Sequence, residues 1–344
     1  MKIAVFGAGA VGGAAAALLA RGGHDVSVIG RGAHFQAMRE GGIHMIRPDG
    51  EWTARPTCCA RPADAGPQDA VMVSVKAHDL GAAAEAIQPL LGPDTVVISA
   101  QNGIPWWYFH GLGGRWDGHR LAAVDTDGRA LTLIGLDRAV GCVVTGAFAV
   151  TAPGTIRVSA LARYALGEPK PGVSPRLASL SRAFTVPGME APASAKLRHD
   201  VWFKLLGNVS FSMICVITGA NMATLIADTG SMRLARAMMV EAHRVAEAVG
   251  VSIDRAAVDA RLTESQRMSS HKPSTLQDLE RGRPMEIDAI IGAVCEIGRF
   301  ANVPTPTIDM IYALVRMRAE EAGCYPANPG FALRYDTRSE LLPS

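Results

Sequence analysis

The chain has 344 residues, 49% of them hydrophobic and 19% charged, a length that allows two domains with separate cores. The formal net charge is +2 with both signs interspersed, so composition marks neither a nucleic-acid-binding surface nor a membrane surface. Six cysteines (Cys58, Cys59, Cys142, Cys215, Cys295, Cys324) form no CxxC pair, and nine histidines form no HxxxH or HExxH. Free thiols in a reducing compartment and no metal site are expected.

The first five apolar-rich residues after Met1, Lys2 to Phe6, read as a strand that runs directly into Gly7-Ala8-Gly9-Ala10-Val11-Gly12 and an alanine-rich helix. A second strand, Asp25 to Ile29, closes a βαβ unit, the context in which GxGxxG signals a dinucleotide site. Gly7 permits the tight turn, Gly9 lets backbone approach phosphate, and Gly12 lets the helix pack closely. The helix N-terminus offers unpaired N–H groups to the pyrophosphate. The run from Lys2 to Ala20 also resembles a secretory signal peptide, but three glycines interrupt its apolar core and the βαβ unit completes itself. A cytoplasmic protein is expected, and after the first helix no uninterrupted apolar stretch reaches membrane-spanning length.

The second strand ends at Ile29-Gly30-Arg31 with no acidic residue nearby. NAD-specific folds place Asp or Glu there for the ribose hydroxyls, whereas arginine pairs with a 2′-phosphate, so Arg31 points to NADP. Residues 1–192 alternate strands and helices, the pattern of a doubly wound parallel sheet with helices on both faces. Strands at 70–75 and 95–99 end near Lys76 and Asn102, placing both at the carboxyl edge where ligands bind. Residues 108–138, rich in glycine and charge, read either as a surface hairpin or as a segment close to the site. Pro105-Trp106-Trp107-Tyr108 read mainly as core packing, with a substrate pocket as the alternative.

From about residue 193 to 344 the pattern is helical, with apolar positions at helical spacing over 196–218, 231–249 and 286–301. This second domain is expected to be all-helical and to serve substrate binding and dimerisation. The tail with Pro326, Pro329 and Pro343 reads as irregular, with mobile last residues. Lys204, Asn208 and Ser212 fall at i, i+4 and i+8 on one helix face. A lysine in apolar surroundings is either a proton donor or a snorkelling side chain at a domain edge. Glu286 precedes an apolar helix, where it suits the helix dipole.

Taken together, GAGAVG at 7–12, VKAHD at 75–79, QNG at 101–103, WFKLLGN at 202–208, TGA at 218–220 and STLQDLERGRPMEID at 274–288 resemble the ketopantoate reductases (2-dehydropantoate 2-reductases). The resemblance extends from Met1 to about Met317 and implies NADPH-dependent reduction of a 2-oxo acid. It implies that Lys204 donates the proton and that Asn208 and Ser274 bind substrate. Asn102 would lie between nicotinamide and substrate, with Lys76 and Glu286 at the cofactor. Ser212 stands where the family usually has a second substrate-binding asparagine, and the segment through Arg138 is longer than in short members. Alternatives are a relative acting on a different 2-oxo acid or a dinucleotide-binding sensor without catalysis. A homodimer is expected.

Overall fold

A computed structural model describes residues 1–159, 161–254, 256–265, 271–326 and 331. Pro329 and Pro343 of the predicted irregular tail lie outside the described residues. The chain divides into two compact units, Met1–Arg120 with Gly128–Lys204, and Leu121–Asp127 with Leu205–Ser344. The division between the larger segments falls inside a helix, between Lys204 and Leu205.

In the first unit the strands are β1 (Lys2–Phe6), β2 (Asp25–Ile29), β3 (Ile43–Arg47), β4 (Gly50–Ala54), β5 (Thr57–Cys59) and β6 (Gln68–Val73). They continue with β7 (Leu91–Ser99), β8 (Ala139–Thr145), β9 (Phe148–Ala152), β10 (Thr155–Val158), β11 (Ala162–Gly167) and β12 (Met189–Glu190). The main sheet has the order β12-β11-β8-β7-β6-β1-β2-β5, parallel from β5 to β8 and reversing between β8 and β11. Alternate residues on both faces are fully buried, Ile3 and Val5 on one and Ala4 and Val71 on the other, so the sheet is covered on each side.

The cover on one side differs from the expected layer of helices alone. A second, four-stranded sheet of order β4-β3-β10-β9 lies over the helix Ala10–Arg21. That helix is therefore enclosed between two sheets, and Ala14 to Ala17 and Leu19 have no exposed surface. A helix buried on all sides needs small apolar residues around its circumference, which accounts for the alanine run. The four strands of the second sheet are each four or five residues long. Its central parallel pair, β3 with β10, joins segments more than a hundred residues apart and leaves no local signal.

Residues 108–138 form neither a surface hairpin nor a single segment. Trp106, Trp107, Tyr108 and Phe109 are buried core residues. Leu121–Asp127 belongs to the second unit, where the Glu296 carboxylate accepts the backbone N–H groups of Ala122 and Ala123 at 2.8 and 2.9 Å. Leu121, Ala123 and Val124 are buried there.

Among the described residues of the second unit no strand occurs. The helical run 197–218 is α-helical over Leu197–Gly207, widens to a π-helix over Asn208–Ser212 and returns to α over Met213–Thr218. By length and mean hydropathy (22 residues, 1.6) this run could cross a membrane, but 72% of its apolar window is buried within the protein. Thr229–Ala248 packs against the π segment. A second π segment, Asp288–Gly292, precedes Ala293–Ala301, so Glu286 lies two residues ahead of the helical run.

The second π segment is held by a buried carboxylate. Asp288, 7% exposed, accepts hydrogen bonds from the Tyr312 hydroxyl at 2.9 Å and from the Tyr325 hydroxyl at 2.9 Å. Burial raises its pKa to about 6, opposed by the two tyrosine hydrogen bonds and by Arg316. Because the folded value lies above the ordinary 3.8, this group's stabilising contribution is complete below that value and is lost as pH rises through about 6. At 1.36 kcal/mol per pH unit the full swing is roughly 3 kcal/mol. The Asp288→Asn protein is expected to show a shallower dependence of Tm on pH between about pH 4 and pH 7. Thermal melts across that range check this, and a slope equal to that of the unsubstituted protein refutes it.

Candidate active site

The glycine loop has the tight turn expected at Gly7 and the close packing expected at Gly12. Gly7 has φ +101°, and a Cβ there would come within 2.8 Å of the Val75 backbone nitrogen. A Cβ on Gly12 would overlap Ser74 Oγ and the Gly7 carbonyl oxygen. Ser74, which sequence reasoning did not single out, donates its hydroxyl to that same carbonyl at 2.6 Å and so pins the turn to the end of β6. Gly9 is the N-cap of the helix Ala10–Arg21, and a Cβ on it would meet nothing within 4 Å. The open side of Gly9, next to unpaired helix N–H groups, fits a dinucleotide pyrophosphate. Ala8, Ala10 and Val11 complete the loop.

Topology sets the remaining cofactor candidates of this unit along one edge. Strands β7, β6, β1 and β2 are adjacent and parallel. The segments leaving their carboxyl ends therefore emerge side by side, bearing Asn102, Lys76, the glycine loop and Arg31 in that order. Three strand spacings separate the first from the last, roughly 14 Å. Arg31 is exposed at the N-cap of the helix Gly32–Gly41, in the position that faces the ribose nearest the loop in this fold.

At the other end of this edge Lys204 Nζ donates to Asn102 Oδ1 at 2.7 Å. Both residues belong to the first unit. Sequence reasoning placed the lysine on the helical side; the division instead leaves it with the sheet, because the first turns of its helix are anchored there through Arg198 and Trp202. The lysine's charge also reaches Cys142 on β8. Burial pushes that thiol up to about 12, and the Lys204 ammonium acts in the opposite direction. An ammonium held at a strand's carboxyl edge by a neutral amide can act as a proton donor and as a stabiliser of developing negative charge.

The other candidates lie in the second unit. Asn208, half-buried, opens the π segment that Ser212, 8% exposed, closes. Ser274 is the first, exposed residue of the helix Ser274–Glu280. Glu286 is half-buried between fully buried Met285 and Ile287. The π segment Asn208–Ser212 packs against both the helix Ser274–Glu280 and the π segment Asp288–Gly292. Asn208 and Ser212 thus bound a segment that lies against the helix opened by Ser274 and against the π segment that follows Glu286. The wide turn also alters the expected i, i+4, i+8 face. Each four-residue step in an α-helix overshoots a full circle by about 40°, whereas a π turn holds more than four residues and falls short of one.

Two family profiles match the chain, "Ketopantoate reductase PanE/ApbA" over residues 3–106 and "Ketopantoate reductase PanE/ApbA C terminal" over residues 196–319. A 2-dehydropantoate 2-reductase from Mesorhizobium japonicum is 47% identical over 327 residues, covering 94% of this chain and 100% of its own. A crystal structure assigned to the ketopantoate reductases, from Ralstonia solanacearum MolK2, superposes with TM-score 0.88 at 39% identity, covering 94% of this chain and 99% of that one. A PanE/ApbA family ketopantoate reductase from Ralstonia eutropha JMP134 gives 0.81 at 27% identity, covering 94% and 100%.

The loop geometry separates two glycine roles. Gly9→Ala is expected to leave Tm within about 2 °C and to weaken dinucleotide binding by about tenfold or more, since its cost falls on the ligand. Gly12→Ala is expected to cost about 1–3 kcal/mol of stability through overpacking. Paired thermal melts and cofactor titrations check both, and equal loss of stability in the two variants refutes the assignment.

Proposed function

We propose that this chain, which belongs to the ketopantoate reductase family, reduces ketopantoate (2-dehydropantoate) to (R)-pantoate with NADPH, a step toward pantothenate. As a member of that family it is an oxidoreductase that uses a nicotinamide cofactor on a small-molecule substrate. The observation that carries the reading is the Lys204 to Asn102 hydrogen bond at the same sheet edge as the glycine loop.

The loop Gly7 to Gly12 holds the pyrophosphate and Arg31 pairs with the 2′-phosphate, which selects NADP; Lys76 and Glu286 contribute further contacts. The reduced nicotinamide supplies the hydride when bound. The chain's own residues do the rest. Lys204 Nζ sits at the substrate's carbonyl oxygen, stabilises the negative charge that develops there and transfers a proton to it. Asn102 orients the ammonium. Asn208, Ser212 and Ser274 bind the acid. Ser212 carries a hydroxyl where the family usually has an amide, and this favours a second reading in which a different 2-oxo acid is the preferred substrate.

The protein is also read as a cytoplasmic homodimer. All six cysteines are free thiols, five of them buried, which suits a reducing compartment. On the helix Pro306–Glu321, Met310, Leu314 and Met317 are 63%, 45% and 57% exposed and share one face beside an apolar groove lined by Ile217, Leu276 and Leu279. A solution mass of twice 36.2 kDa is expected, reduced to that of one chain by Leu314→Arg. Light scattering on both proteins checks this, and a single-chain mass for the unsubstituted protein sinks it.

Turnover with ketopantoate and NADPH, followed by loss of the reduced nicotinamide and compared with NADH and a panel of 2-oxo acids, tests the function. Ketopantoate with NADPH should give the highest kcat/KM. Lys204→Ala should lower kcat by about 10²–10⁴ while NADPH still binds. A clear preference for another oxo acid favours the second reading, and NADPH binding without any turnover would leave a sensor.

A further inference from the structure

Lys204 and Asn102 are 102 residues apart in sequence and meet at 2.7 Å, and further contacts in the first unit link the same two segments. Those contacts join the loop just after Asn102 to the start of the lysine's helix. Arg198, 8% exposed, donates Nε to the Tyr108 carbonyl at 2.8 Å, Nη1 to the Pro169 carbonyl at 2.5 Å and Nη2 to the His110 carbonyl at 2.7 Å. Its guanidinium carbon also lies 5.6 Å from the centre of the Trp107 ring. One helical turn later, fully buried Trp202 donates Nε1 to the Tyr108 hydroxyl at 2.6 Å. Tyr108 thus receives the helix twice, at its carbonyl and at its hydroxyl.

The helix start is also seated on the sheet. Gly141 on β8 and Gly167 on β11 are directly paired. A Cβ on either would come within 2.6 Å of Leu197. The two glycines form a notch that admits Leu197 and leaves no room for sliding.

Packing alone does not require a guanidinium here. Burying a charge is costly, and buried ionic groups can often be exchanged for apolar ones without loss of stability. What the guanidinium provides is three donors in a fixed plane that hold three carbonyls on two separate backbone segments, the 108–110 loop and Pro169, in register with the helix. A lysine ammonium cannot reproduce that geometry.

We propose that Arg198 is a positioning residue for the reaction: with the Trp202 to Tyr108 bond, it fixes the helix bearing Lys204 to the loop following Asn102 and so sets Nζ against the amide. This rests on the reading of Lys204 as proton donor.

Arg198→Lys and Trp202→Phe test it. The first keeps the charge and loses the planar fork; the second removes one N–H and retains an aromatic ring. In each, kcat should fall by about 10–100-fold, with the Kd for NADPH changed by less than about twofold. In a Lys204→Ala background the same substitutions should cost less than about twofold in the residual turnover, because they act through the missing lysine. A second readout needs neither cofactor nor turnover. Acylation of Lys204 in the apo protein, read by mass spectrometry against exposed Lys196, should accelerate severalfold in both variants.

Unchanged kcat and unchanged acylation ratios in folded variants overturn the proposal, as does an equal loss of kcat with and without Lys204. If Arg198→Lys does not fold, Trp202→Phe decides alone. If the unsubstituted protein reduces no 2-oxo acid, the functional reading fails, and the acylation ratios still decide whether Arg198 and Trp202 position the lysine.

Discussion

The hydrogen bond from Lys204 Nζ to Asn102 Oδ1 joins the end of a sheet strand to a helix from much later in the chain, and much of the first unit is arranged so that it can form. Asn102 follows β7, whose neighbours on one side are β6, β1 and β2. Parallel pairing gives all four strands the same direction, so the lysine's partner emerges on the same edge as the glycine loop. An antiparallel arrangement of the same strands would send alternate segments to opposite edges and separate these residues by a strand's length. Sheet direction is thus the first requirement of the site, and the clamp on the lysine's helix is the second.

The alanine-rich helix Ala10–Arg21 shows how composition, fold and ligand site are linked. Enclosed between two sheets, it has no solvent face on which to carry polar residues. Its N-terminus nevertheless projects beyond the strand ends at Gly9, where N–H groups are left without helical partners. Close packing at Gly12 fixes the helix against Ser74 and the Gly7 carbonyl, and this holds that terminus in a constant place relative to β1 and β6. The same feature that gives the segment the look of a signal peptide, its run of small apolar residues, follows from a helix with two buried faces.

The parts of this structure legible in the sequence are those specified by neighbouring residues. The strand–GxGxxG–helix order, the strands near Lys76 and Asn102, and the helices around 196–218 and 231–249 all carry local patterns that recur in the fold. The second sheet depends on pairing between distant segments, β3 with β10, which no window of sequence contains. Residues 121–127 look like a polar loop, yet they are drawn into the helical unit by one carboxylate, that of Glu296, at a distance of more than 170 residues. Of the candidate site, the lysine, the asparagines and the glycine loop stand out by residue type. Arg198 does not, because an arginine near a helix start looks solvent-exposed until its three carbonyl partners are placed around it.

The π segments were equally hidden, and the first bears directly on the site. A helix records its hydrophobic period over several turns, and one wide turn shifts that period by less than a residue, too little for a pattern to reveal. Its consequence is nonetheless specific. Lys204 and Asn208 are one turn apart on a single continuous helical run, a rise of roughly 6 Å. The wide turn that begins at Asn208 carries the backbone at Ser212 less far around the helix axis than a regular α-helix would. The segment opens with an amide and closes with a hydroxyl, and changing the closing residue from amide to hydroxyl alters what the segment can offer a ligand without changing the α-helix ahead of it.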